Sequence, residues 1–173
     1  MTTTIYVPGT DETDPKKQNM SLQQIGPKLS TAIDNIATNT ASIAALQALA
    51  SPLTNSLGAD VSLNNIANYF TGPTVAQGST GTWWASGIVT FLDTTSADTF
   101  YAKLWDGTTV IASGAVTTGG ANFLASISLS GYLASPAGNI RISCRAPNAT
   151  TGKIVFNATG NSKDATVSAY RIA

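Results

Sequence analysis

Two hydrophobic periods divide the chain. Between Pro27 and Pro52 apolar residues recur every seven positions; after residue 56 they alternate with polar ones in short runs. The first pattern predicts a helix and the second predicts strands. Ser21-Leu-Gln-Gln24 has the form of a capping box and predicts a short helix. Gly26-Pro27 interrupts it, Pro27 suits the first position of a new helix, and Pro52 stops that one. About 24 helical residues remain, roughly 36 Å at 1.5 Å each.

Placing Leu29, Ile36, Ile43 and Ala50 at heptad position a puts Ala32, Asn39 and Leu46 at d. Six of these seven are apolar, which is a coiled-coil seam by pattern. The alternative is one amphipathic helix lying on its own domain. Three features favour the seam. No charge occurs between Asp34 and Asp60, so an exposed lone helix would lack ion-pair support. Ile at a favours assemblies larger than dimers, and Ile33 at e widens the stripe. Asn39 places an amide in the seam, where symmetry-related copies of itself can satisfy it.

Downstream, strands are expected near Ala59–Leu63, Thr74–Gln77, Thr82–Leu92, Phe100–Trp105, Thr108–Ala115, Asn122–Leu129, Asn139–Arg145, Lys153–Ala158 and Thr166–Ile172. Asp106-Gly107 predicts a two-residue hairpin, while Gly72-Pro73, Gly119-Gly120 and Ser135-Pro136 punctuate other runs. So many short strands with no second helical pattern imply an antiparallel β-sandwich or jelly roll. The expected class is mostly β with an N-terminal α-helix. Residues 1–20 form an extended segment, 21–53 a helical coiled-coil stalk and 54–173 the β-head.

Composition narrows the chemistry. Only 10% of residues are charged, nine basic against nine acidic, while 25 Thr and 17 Ser keep the surface wet. A neutral chain has no electrostatic footprint for nucleic acid or an anionic membrane. There is no His and one Cys, so the commonest general base, the commonest neutral metal ligand and any intrachain disulfide are missing. No apolar run is long enough to span a bilayer. Asp93, Asp98 and Asp106 could in principle be paired carboxylates for glycosidase chemistry, but Asp106 is already explained by its turn, and Asp93 and Asp98 flank a Ser/Thr loop. The expectation is a protein that is not an enzyme, with no catalytic residue, no metal and no cofactor.

Residues 1–20 carry breakers, charges and one apolar cluster, Ile5, Tyr6 and Val7. Alone such a segment should be extended or disordered. The cluster favours a docking peptide that orders on a partner over a solubilising tail. The opening residues lack the basic and apolar regions of a signal peptide. Among aromatics, Trp83 and Trp84 are consecutive and must face opposite sides of a strand, while Tyr101 and Trp105 share one face. Any of the four that is exposed beside Asn, Ser or Thr could stack on a sugar ring; the alternative is core or subunit packing.

Ile36-Ala-Thr-Asn39-Thr40-Ala-Ser-Ile43 resembles the Ile-x-x-Asn-Thr-x-x-Ile layer of trimeric fibre stalks, found in trimeric autotransporter adhesins and bacteriophage fibres. The resemblance implies a homotrimer with the Asn39 side chains turned inward around an anion on the threefold axis. Phe100–Gly114, Pro136–Ser143 and Thr166–Ala173 resemble jelly-roll heads of phage fibres and spikes. Together these imply a structural virion component assembled in the host cytoplasm, a tail or neck fibre. Its N-terminus would dock on a portal, adaptor, tail or capsid protein, and its head would bind a host-surface glycan or protein. The alternative is a capsid head fibre or decoration protein with a structural or weakly adhesive role.

Overall fold

A computed structural model of the chain describes residues 4–6 and 19–172, with side chains over 25–47 and 51–172. Two compact units divide it, Met1–Ala48 and Leu49–Ala173.

In the first unit, β1 (Thr4–Tyr6) pairs antiparallel with β2 (Asn19–Ser21), joining Thr4 to Ser21 and Tyr6 to Asn19. The described parts of the segment, expected to be extended or disordered, are two short extended strands paired with each other. Of the docking cluster, Val7 lies outside the described residues. Ser21 is followed by α1 (Leu22–Ala50), one helix that runs through Pro27. The predicted break does not occur. A proline one turn into a helix removes a single hydrogen bond, close to an end whose amides lack partners anyway. Along α1 the hydroxyls of Thr31, Thr38, Thr40 and Ser42 donate to the carbonyls four residues back, at 2.8–3.0 Å. These side chains are satisfied within their own helix.

The second unit starts with β3 (Leu53–Ser56), β4 (Val61–Ser62), β5 (Phe70–Val75) and β6 (Thr82–Asp93). It continues with β7 (Thr99–Trp105), β8 (Val110–Thr117), β9 (Leu124–Ala134), β10 (Ile140–Arg145), β11 (Gly152–Val155) and β12 (Ala165–Arg171). All pairings are antiparallel. One sheet has the order β5-β10-β7-β8. In the other, β9 lies along one edge of β6; β12 and β11 lie end to end along its second edge, followed by β3 and β4.

This is one long hairpin rolled up. The innermost arms β7 and β8 pair, then β6 with β9, then β5 with β10, and lastly β3 and β4 with β12 and β11. That nesting defines a jelly roll.

Alternation supplies the core. Phe100, Ala102 and Leu104 of β7, Ile140, Ile142 and Cys144 of β10, and Val89 and Phe91 of β6 are buried between the sheets. The rings of Phe91 and Phe100 stack at 4.7 Å and 8°, joining the two sheets. Burial pushes the Cys144 thiol far above its ordinary pKa, so it behaves as a small apolar side chain.

Three further differences from the sequence reading have local causes. β3 was not foreseen because Leu-Thr-Asn-Ser carries one apolar residue; its hold is backbone pairing plus hydroxyl pairs Thr54–Ser168 and Ser56–Thr166 at 2.9 and 2.8 Å. Gly72-Pro73 is not a turn but part of β5, an edge strand with a register shift opposite, the setting in which a sheet tolerates proline. The Asp106-Gly107 hairpin is longer than two residues: Trp105 pairs with Val110, and the Asp106 carboxylate accepts from the amides of Thr108 and Thr109 at 2.8 and 2.6 Å. Asx bonding sets a wider turn than Gly alone would.

Gly87 faces inward on β6. A Cβ there would fall 2.5 Å from the Thr166 carbonyl oxygen and 2.7 Å from Ile142 Cδ1. Gly87→Ala should therefore cost about 1–3 kcal/mol by overpacking. Denaturant unfolding of the full chain checks this; an unchanged midpoint would mean that the sheets do not approach as described.

Candidate functional site

β6 pairs on both edges, so its even-numbered residues have one place to go, the outer face. Trp84 stands there between Tyr170 of β12 and Tyr132 of β9, its direct cross-strand partners. Tyr132 and Tyr170 are exposed and Trp84 is half-buried, giving an aromatic row across three strands. Along the same face Ser86 lies between Ser168 and Ser130, and Ile88 between Thr166 and Ser128. These residues line an open depression of about 390 Å³. Thr90 and Ser126 close it with a hydroxyl pair at 2.8 Å. No charged residue occurs among these outward positions. Flat apolar rings beside a trough of neutral donors and acceptors suit the C–H faces and hydroxyls of a neutral sugar.

Trp83 is the reverse case. It is 8% exposed, and its indole N–H donates to the Thr80 carbonyl at 2.9 Å. It belongs to the core and is removed from the ligand-facing candidates, because odd positions of β6 point between the sheets. Tyr101 and Trp105 do share one face, but it is the outer face of the other sheet, each ring beside a cation. The four aromatics thus make no single site. Tyr132 and Tyr170 were missed by the sequence reading; their alternation was visible, but their cross-strand neighbour was not.

No protein-family model matches the sequence, and no curated protein matches it. The chain is similar to several solved structures. Eiger TNF from S. frugiperda is 12% identical, covering 70% of this chain and 85% of its own, with a TM-score of 0.41. PRD1 vertex protein P5 is 12% identical over 70% of this chain and 96% of its own, at 0.39. The C-terminal CBM6 of LamC, a marine laminarinase from Zobellia galactanivorans, is 13% identical over 70% and 100%, at 0.38. At such scores the jelly-roll assignment rests on this chain's own strand order.

Of the carboxylates considered for catalysis, Asp93 and Asp106 are committed to their loops; Asp98 accepts through Oδ1 from the Thr99 amide and Asn148 Nδ2, and its buried Oδ2 has no partner. Asp93 accepts from the Thr95 amide and hydroxyl, the Ser96 amide and the Thr151 hydroxyl. Asp106 accepts from Ala137 N at 2.7 Å besides its own turn. For both, burial acts to raise the pKa, but these hydrogen bonds outweigh it and hold the group below its ordinary 3.8. Among the described residues no three His, Cys, Asp or Glu come together to hold a metal. No helix there is long and apolar enough to cross a membrane.

A carboxylate whose folded pKa is depressed stabilises the fold in full above its unfolded value, and that contribution is lost as pH falls through the folded value. The head should therefore lose melting temperature on acidification below 3.8. Asp106→Asn should flatten that acid limb, which melting curves against pH will measure. Trp83→Ala should cost about 3–5 kcal/mol as a buried large-to-small change. Trp84→Ala should cost a fraction of that, a contrast that denaturant titration of the two variants resolves.

Proposed function

We propose that this chain is a homotrimeric virion fibre or spike protein whose jelly-roll head binds the host surface, and that it is not an enzyme. One observation carries the reading. Every residue of α1 from Gly26 to Gln47 is exposed in the single chain, including the period-seven stripe from Leu29 to Leu46. Leu29, Ile33, Ile36, Ile43 and Leu46 are 55–65% exposed, and Ala32 lies among them. Burying such a side chain contributes about 1.5–3 kcal/mol each, so the helix is stable only when the stripe is covered. Copies of itself cover it best. Ile at a and Ile33 at e ask for more than two strands, and three Asn39 amides around one axis satisfy one another or hold an anion.

Thr40 supports the same reading. It flanks Asn39 at the edge of the stripe, and its hydroxyl is already bonded to Ile36 O, so it can be covered without a penalty. In this reading the aromatic–hydroxyl face of the head offers a host glycan a neutral platform. Ile5, Tyr6 and Val7 dock on another virion protein by burying an apolar cluster and pairing extended backbone. The protein takes no nucleic acid, inserts in no membrane, and is built into particles in the host cytoplasm.

Light scattering on the full chain should give three times 17.7 kDa. A chain lacking residues 1–20 should remain a trimer of its own shortened mass and fail to enter particles. A monomer at micromolar concentration overturns the stalk; normal incorporation of the truncated chain overturns the docking segment.

A further inference from the structure

The outer face of the β5-β10-β7-β8 sheet carries a ladder of alternating cations and rings. Outward positions of β7 are Tyr101, Lys103 and Trp105; those of β10, directly opposite, are Arg145, Ser143 and Arg141. Tyr69, just before β5, completes the set. Arg141 Cζ lies 4.9 Å from the Trp105 ring centre, and Lys103 Nζ lies 3.4 Å from it. Lys103 also stands 4.3 Å from Tyr69, Arg145 Cζ is 5.3 Å from Tyr69, and Arg145 is 5.4 Å from Tyr101. The sequence of partners is Arg141, Trp105, Lys103, Tyr69, Arg145, Tyr101.

Rings hold cations in place without neutralising them. Among the described residues none of the three pairs with a carboxylate; the salt bridge there is Lys153–Asp60, on the other sheet. Arg141 and Arg145 each keep a buried Nε–H with no acceptor. Gly107, at φ 101°, lets the Arg141 guanidinium lie against the turn, for a Cβ there would meet Nη2 at 2.7 Å. Desolvation by burial, and after it the neighbouring Arg141, lower the Lys103 pKa. A chain with nine cations in all has placed three of them side by side on one face, uncompensated.

We propose that this face binds an acidic polysaccharide, with the two guanidiniums gripping sugar carboxylates and Lys103 between them. It rests on reading the head as the surface-binding part and gives that reading a second, charged ligand. Arg141 and Arg145 are four residues apart on one strand, about 13 Å, a span that a short oligosaccharide covers. A guanidinium fork matches a carboxylate with two parallel bonds. Hydroxyls flank the ladder where sugar hydroxyls would lie, Thr71 and Thr74 on β5 and Ser113 on β8. Nucleic acid fits less well, because bases need open ring faces to stack on and the cations occupy these. An acidic peptide would want an apolar anchor pocket, and these outward positions offer none.

The test is calorimetry of the full chain with oligogalacturonate, whose sugars carry carboxylates, and with its methyl ester, which lacks the charge. Oligogalacturonate should bind, the ester should not, and affinity should fall with salt. Arg141→Gln and Arg145→Gln should each weaken binding roughly tenfold or more, the loss of one charge-assisted pair, and Arg→Lys should recover part of it. Unchanged melting temperature and mass establish that each variant is folded. Trp84→Ala, on the opposite face, should leave the affinity as it is. Equal binding of the ester, of polyglutamate or of single-stranded DNA, or full affinity in the double Gln variant, overturns the proposal. Trp84-dependent binding of a neutral glycan with no oligogalacturonate binding would overturn it while leaving the host-binding head intact; absence of both would overturn both.

Discussion

Both edges of β6 are occupied by backbone hydrogen bonds from Trp83 to Leu92, and this leaves each of its side chains a choice of two faces and no third. The strand is the third arm of the rolled hairpin and borders β9 on one side and the two halves of the last arm on the other. A slip of one residue would exchange every inward group for an outward one, burying Trp84 and expelling Trp83. Gly87 reinforces the register from within, because only a residue without a Cβ fits against Thr166 and Ile142. The aromatic row and the serine trough exist because that register is fixed.

The scarcity of charge is managed by segregation. Asp93 and Asp106 are spent on their loops, Asp164 on the Thr159 amide and hydroxyl, and Asp60 on Lys153 and the Phe156 amide. Acids tie loops together, while Lys103, Arg141 and Arg145 are left to rings instead of carboxylates. The chain is neutral as a whole and polar in its distribution. One outer face is a neutral hydroxyl surface and the other a cationic one, so net charge alone is a poor guide to what such a head can hold.

Much of this was legible in the sequence, and the limit falls where pairing begins. Period two placed β6, β7, β10 and β12 within a residue or two, because each is a run of β-branched and aromatic residues with a strict inward set. Period seven placed the stripe on α1. β3 was missed because its pairing is made by backbone and hydroxyls, which leave no apolar signature, and Gly72-Pro73 was misread because edge position is a property of the sheet. The same holds for the sites. Consecutive tryptophans announced that one faced out, but not which. The Tyr-x-Lys-x-Trp and Arg-x-Ser-x-Arg alternations were each visible, yet that they lie opposite one another is register, which no single strand encodes. Charge read as a total hid the ladder altogether.

The outermost arms of the roll carry a consequence in time. Thr54 and Ser168, joined by a hydroxyl pair, are 114 residues apart in the chain. During synthesis β3 emerges early and has no partner until β12 follows it, so the head closes only when its last strand is made. α1 is complete before β3 begins, and its bonds are local. The local bonds of α1 can therefore form while the head is still open, and the sheet closes last.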